Sequence, residues 1–295
     1  MLDFRIQTFL CVCKHMNYTK AAKELGITQP AVSQHIRYLE DYYEDILFLY
    51  TGKNLTLTAA GKLLLDAMIS IHHDELHLKK SLIELKKTTT ILRFGATLTI
   101  GDYWIPEKLL PYLKQNPSQI TELTIANTKE LLSLLDAGGL DFAVIEGYFN
   151  KQQYEFRTLS KEPYILVCAY DYPLTTIDCL TDLFSHPLLV REDGSGTKEI
   201  LTRFLSEHGY NLSDFSNVST INSIHVMKEL TREGLGITFL YEAAVKKELQ
   251  NKTLRKINLL EFHLEHEFNF IVRKNSIFLA FYLSLFEALF NPPAC

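Results

Sequence analysis

The segment TKAAKELGITQPAVSQHIRYLE, Thr19 to Glu40, constrains the fold more than any other part of the chain. An amphipathic run from about Lys20 to Leu25 stops at Gly26, the residue type that most readily takes the left-handed conformation closing a helix. Two residues on, Thr28 can cap a further helix whose first turn holds Gln29 and Pro30, where proline is tolerated. Val32, Ile36 and Leu39 recur at i, i+4 and i+7 and therefore point inward together. Gln29, Ser33, Gln34 and Arg37 fall on the other faces. The pattern demands a tight corner between two short helices. Upstream, Phe4, Phe9, Leu10, Val12 and Cys13 follow helical spacing over residues 4–15, and Asn17-Tyr18-Thr19 supplies a stop and a fresh cap.

A helix presented this way can lay its N-terminal residues in the major groove of DNA. Gln29 can bond adenine in bidentate fashion, Pro30 offers an apolar face to a thymine methyl, and Arg37 can reach guanine or phosphate. The Thr28 hydroxyl and the helix start can meet a phosphate without a formal charge. After Phe48, LYTGKNLTLTAAG places Gly52-Lys53-Asn54 at a hairpin tip between two short extended arms. Thr58 then caps a helical pattern from Ala59 to about Lys87. Its apolar positions Leu64, Met68, Ile71, Leu78, Leu82 and Leu85 follow a coiled-coil-like spacing broken only at Glu75, which predicts a dimerisation arm.

From Ile91 the texture changes to alternating strands and helices, an α/β domain. An internal echo runs through it. ILRFGATLTIGDYWIPEKLLPYL and PLLVREDGSGTKEILTRFL both read strand, small-residue loop, helix; ELLSLLDAGGLDFAVIEG and VMKELTREGLGITFLYE both read helix, glycine pair, strand. Two similar halves predict two lobes with a cleft between them. The loops GATLTIG, with Thr97 and Thr99, and REDGSGTKEI, with Gly194, Ser195, Gly196 and Thr197, each open a helix. Small residues admit close backbone approach, so two such helix starts facing one cleft would form an anion site.

AAKELGITQPAVSQHIRYLE, followed by LF and by TGKNLTLTAAG, resembles the N-terminal signature of LysR-type transcriptional regulators, and the likeness extends over essentially the whole chain. The resemblance implies an α/β multidomain protein: a winged helix-turn-helix at 1–58, a linker and dimerisation helix at 59–88, and a two-lobed, periplasmic-binding-protein-like effector domain at 89–295. Lobe I would span about 89–161 and 267–295, and lobe II about 162–266. It implies DNA contacts at Thr28, Gln29, Pro30, Ser33, Gln34, Arg37 and Lys53. It places a small-molecule effector against Thr97, Thr99, Ile100, Asn127, Thr128, Ser195, Gly196, Thr197 and Asn222, where Ile100 would make one wall apolar. Expected partners are promoter DNA, RNA polymerase, an anionic metabolite and further copies of the chain as a dimer or tetramer; no cofactor and no membrane partner is expected. Tyr50 stands where the family usually has arginine, the wing keeps only Lys53 with Asn54 after it, and Glu44 replaces a glycine often found after the recognition helix.

Composition narrows the alternatives. The 295 residues carry a formal net charge of −5. Over residues 1–62, seven basic side chains against six acidic ones leave +1, so the acidic excess lies beyond the head. Phosphate contact must then rely on neutral donors and helix ends, which predicts a shallow salt dependence per subunit. The start, MLDFRIQTFLCVCKHMN, has its apolar set broken by Arg5, Gln7, Lys14 and His15, so no signal peptide is expected. No apolar run reaches the length of a membrane span. The five scattered cysteines fit a reducing cytoplasm, with Cys11 and Cys13 as core thiols. His72, His73 and His77 on the long helix read as a solvated face, as do Lys79-Lys80 and Lys86-Lys87, and NPPAC reads as a frayed tail. No catalytic or metal-binding residue is expected: Ser195 lacks the first glycine of G-x-S-x-G, and the glycines of AGGLDFAVIEG precede a strand instead of following one.

Overall fold

The N-terminal head is built by local capping. In the computed structural model, which describes residues 3–52, 54–87, 91–174, 177, 179–259 and 261–291, helix α1 (Phe4–His15) starts at Asp3, whose carboxylate accepts from the Arg5 amide. Lys53, the side chains of Lys86 and Lys87, and the tail from Pro292 to Cys295 lie outside the described residues. Helix α2 (Tyr18–Leu25) begins earlier than its apolar pattern, because the Asn17 carboxamide accepts from Lys20 N at 2.9 Å. It closes at Gly26 with φ of 67°. Helix α3 (Gln29–Tyr43) starts on Thr28, whose hydroxyl accepts from Ala31 N at 3.3 Å. Val32, Ile36 and Leu39 are buried against Phe9, Val12, Ala21 and Ala22, so burial on one face orients the other outward. Strands β1 (Phe48–Thr51) and β2 (Asn54–Leu57) pair antiparallel, with Thr51 opposite Asn54 and Gly52 at φ of 66° in the turn. The Glu40 carboxylate holds the start of this wing by accepting from Leu47 N at 2.9 Å.

The Thr58 hydroxyl accepts from Gly61 N at 2.9 Å and donates to Ile46 O at 2.6 Å, fixing helix α4 (Ala59–Lys87) to the wing. The expected seam on α4 divides. Leu64 and Met68 are used in the head core, while Ile71, Leu78, Leu82 and Leu85 stay exposed and are joined by Leu63. An adjacent polar face of the same helix docks on the α/β domain. Ser70 Oγ donates to Lys274 O at 3.0 Å, Asp74 accepts from Ile277 N at 2.8 Å, and Lys80 Nζ donates to Gly138 O at 2.7 Å. The histidines therefore do not form a solvated face. His73 is buried with Nε2 3.1 Å from Leu140 O, and His77 Nδ1 lies 3.0 Å from Asp141 Oδ1.

In the α/β domain, β3 (Ile91–Ala96), α5 (Ile105–Gln115), β4 (Ile120–Ile125), α6 (Thr128–Asp136) and β5 (Phe142–Ile145) form a parallel set in the order β4-β3-β5. A π-helical turn, Ile100–Trp104, precedes α5. Strand β6 (Tyr154–Ala169) leads to β7 (Leu188–Val190), α7 (Gly196–Glu207), β8 (Val218–Thr220), α8 (Ile224–Arg232) and β9 (Ile237–Tyr241). This second set is also parallel, in the order β8-β7-β9. The internal echo in the sequence is thus a repeated topology. Helix α9 (Glu242–Gln250), strands β10 (Leu254–Ile257) and β11 (Leu264–Arg273), and helix α10 (Leu279–Phe290) complete the chain. Strands β6 and β11 run antiparallel through both lobes, with a register shift between Phe268 and Asn269. Two similar units joined by crossing strands make a two-lobed domain whose parallel strands all end in loops, the usual position of an α/β binding site.

Candidate DNA-reading face and inter-lobe site

On α3, Gln29, Pro30, Gln34 and Arg37 are exposed, Thr28 is exposed at its cap, and Ser33 is half-buried. Gln29 Nε2 donates to Ser33 Oγ at 2.8 Å, so the two polar groups nearest the helix start are already linked as a unit. Thr28 serves first as the cap, and a phosphate contact there would share its hydroxyl with Ala31 N. Farther along, Tyr38 and Tyr42 stack with ring centroids 6.5 Å apart, and the Arg5 guanidinium lies 3.9 Å from the Tyr38 ring centroid. Tyr50 on the wing is exposed, and the Tyr38–Tyr42 stack on α3 was not singled out from the sequence.

Between the lobes, strand ends converge. Thr97, Glu146 and Arg191 directly follow β3, β5 and β7, and Asn127 lies two residues beyond the end of β4. Thr97 Oγ1 donates to the Glu146 carboxylate from lobe I, and Thr197 Oγ1 lies 3.5 Å from its other oxygen from lobe II. Thr128 Oγ1 donates to Glu146 O at 2.9 Å, and Tyr164 OH donates to Thr197 O at 3.0 Å. Asn127 caps α6 by accepting from Glu130 N and reaches across to Glu192 at 3.4 Å. The lobes touch at Gly147 and Gly196: a Cβ on Gly196 would fall 2.5 Å from Glu146 O, so no side chain fits there. Ser195 is buried at the start of α7 without a side-chain cap bond. Among the described residues, the buried hydroxyls of Thr99 and Tyr241 have no hydrogen-bond partner.

Charge is concentrated where the sequence reading placed no charged side chain. Burial pushes the Glu146 carboxyl up to about 7, against the pull of its backbone contact, the Arg191 charge and the Thr197 hydroxyl. Arg191 is only 2% exposed, and its guanidinium is held by Glu192 at 2.9 and 3.0 Å. Burial also raises Asp102, opposed by Arg191 and Lys228. Tyr164 and Tyr241 are both raised above the ordinary tyrosine range, chiefly by burial.

Three expectations change. The implied contacts Asn127 and Thr128 are already engaged, Asn127 accepting from Glu130 N and Thr128 donating to Glu146 O, and Lys129 N donates to Gly194 O of the other lobe at 3.2 Å. Ile100 is sealed in the apolar core with Phe94 and Ile105 and forms no wall of the polar cluster. Asn222 is exposed and makes no hydrogen bond to the cluster among the described residues. Glu146 and Arg191 were missed, although a legible signal existed: each is a charged residue directly after a short apolar strand, in FAVIEG and LLVRED.

A helix-turn-helix head with a wing, joined by a long helix to a two-lobed ligand-binding domain, defines a DNA-binding protein controlled by a small molecule. The family model described as "Bacterial regulatory helix-turn-helix protein, lysR family" matches residues 5–62, and "LysR substrate binding domain" matches residues 87–282. An uncharacterised HTH-type transcriptional regulator of Methanocaldococcus jannaschii, MJ0300, is 31% identical over 245 residues, 82% of each chain. The HTH-type transcriptional regulator CysL of Bacillus subtilis is 28% identical, covering 90% of this chain and 89% of its own. The Synechocystis CcmR regulatory domain, solved in complex with 2-PG, matches with a TM-score of 0.60 at 17% identity, over 68% of this chain and 96% of its own. The chain belongs to the LysR family of transcriptional regulators. It is a DNA-binding regulator with an effector-binding domain, not an enzyme.

Proposed function

We propose that this regulator works in the cytoplasm as a dimer or tetramer on promoter DNA, beside RNA polymerase, and changes its hold on that DNA when a small anionic metabolite enters between the lobes. In this reading residues 1–58 are the head, 59–88 the linker helix and 89–295 the effector domain. Thr28, Gln29, Pro30, Ser33, Gln34, Arg37 and Lys53 meet the duplex. The observation that carries the effector half is the meeting of Thr97, Glu146 and Thr197 from two lobes on one buried carboxyl. A ligand bound there has different contacts with closed and open lobes, which is the requirement for a switch. Arg191 supplies the positive charge, and Glu146 accommodates an anion in its neutral form. The 2-PG complex of the CcmR regulatory domain supports a small metabolite in the corresponding fold.

Calorimetry on the full-length protein tests this against small carboxylates, oxyanions and neutral analogues at about pH 6 and about pH 8. Anions should bind, and more weakly at the higher pH, because a neutral Glu146 favours them. Binding of neutral compounds alone would overturn the anion reading. In parallel, binding to DNA upstream of the chain's own gene, against scrambled competitor, should be specific and lost on Gln29→Ala with Ser33→Ala. Specific binding retained by that double variant would remove the assigned reading residues.

A further inference from the structure

Cys11 and His15 stand one helical turn apart on α1, and α2 brings Glu24 against them. One donor atom from each, a sulfur, an imidazole nitrogen and a carboxylate oxygen, lies within 4.8 Å of the others. His15 Nε2 is 2.6 Å from Glu24 Oε2. Cys11 is buried, His15 is half-buried and Glu24 is exposed, so the cluster is backed by protein and open on one side. That side faces a cavity of about 720 Å³ between the head, α4 and α6, lined among others by Cys11, Glu24, His72 and Asp136. The cavity offers a path for an ion and room for a water as fourth ligand.

We propose that Cys11, His15 and Glu24 bind a zinc-class divalent cation at the join of α1 and α2. A mixed sulfur, nitrogen and oxygen donor set suits a borderline ion such as Zn²⁺; Mg²⁺ and Ca²⁺ prefer oxygen alone. Three protein ligands and a water complete a tetrahedron. The Cys11 thiol gives its proton to solvent and binds as thiolate. Glu24 exchanges its present cation, the Lys14 ammonium at 2.8 Å, for the metal. Lys14 is exposed, and exposed pairs of this kind contribute little, so the exchange displaces no structural element. Cys13, two residues along, is outside the cluster and is not a ligand. The bound ion would tie α1 to α2 and stiffen the frame that carries α3. This site is independent of the inter-lobe effector reading.

The test is Co²⁺ titration of the reduced full-length protein, followed by Zn²⁺ displacement. The expected result is one Co²⁺ per chain with a thiolate-to-metal charge-transfer band and tetrahedral d–d bands, both removed by Zn²⁺. Cys11→Ser should abolish the charge-transfer band. His15→Ala and Glu24→Gln should weaken binding by at least about tenfold, the lower end of what even an outer-shell loss costs a metal site. Cys13→Ala should leave the spectrum unchanged. If Cys11→Ser fails to fold, the half-exposed His15→Ala variant, checked by circular dichroism, decides alone. Absence of the charge-transfer band in the wild type, its loss in Cys13→Ala, or unchanged affinity in His15→Ala would overturn the proposal.

Discussion

Glu146 sits at the end of a strand whose four residues are all buried, and its side chain is enclosed with them. A carboxyl there resists ionisation because its charged form loses the solvation that water would give. Its folded value, about 7, is above the ordinary carboxylate value, so the fold favours the protonated form. The stability it supports is full below the ordinary value near 4.5 and is lost as pH rises through about 7. Glu146→Gln should remove this dependence and stabilise the protein at about pH 8 by about 1–3 kcal/mol, read by urea denaturation across pH. A pH profile unchanged by the substitution would place the titrating group elsewhere. Glu44 shows a different cost. It closes α3 at φ of 55°, in the left-handed region, where the family often has glycine. Relief of the Cβ clash outweighs the added chain entropy of glycine, so Glu44→Gly should raise head stability by about 0.5–1 kcal/mol, measured by thermal unfolding.

Helix α4 presents two adjacent faces to two different surroundings. Ser70, His73, Asp74, His77 and Lys80 are tied to loops 138–141 and 274–277 of the effector domain. Burial lowers His73 despite its contact with Leu140 O, so the dock disfavours the charged ring. Strand β5 runs directly from that dock, at Leu140 and Asp141, to Glu146 in the inter-lobe cluster. The other face leaves Leu63 74% and Leu85 76% exposed, with Ile71, Leu78 and Leu82 between them. A row of exposed leucines on one long helix favours burial against a second copy. Leu78→Glu with Leu82→Glu should therefore convert the assembly to smaller species in sedimentation velocity while leaving the circular dichroism of the chain intact. Retention of the wild-type sedimentation coefficient would assign assembly to another surface.

At the scale of the molecule, charge is partitioned: the head is nearly neutral and the acidic excess lies on the other segments. Few phosphates can be neutralised by full charges, so DNA affinity per head should depend weakly on salt. Tyr50, exposed on the wing, marks the place where a charge is missing relative to the family pattern. Tyr50→Arg should tighten binding at low salt and steepen the slope of log affinity against log salt by about 0.9 per head. An unchanged slope would mean that the wing does not approach the backbone.

Much of this was written in local sequence. Gly26 at φ of 67°, the Thr28 and Thr58 caps, the Val32-Ile36-Leu39 face and the echo between the lobes follow from residue type and spacing, because caps and periodic burial are short-range effects. The sequence was less informative wherever two distant segments had to compete for one group. Asn127 and Thr128 were implied as ligand contacts by the family resemblance, but the tertiary fold ties Asn127 to Glu130 N, Thr128 to Glu146 O and the next amide to Gly194 O. His73 and His77 lay on a polar stretch, but the fold buried one and paired the other with Asp141. Leu64 and Met68 fitted a seam by spacing, yet the head core took them. Cys11, His15 and Glu24 met only because α2 crosses α1. Spacing along the chain determines which face a residue is on; only packing in three dimensions decides what that face meets, and with it the charge, burial and partners of each group.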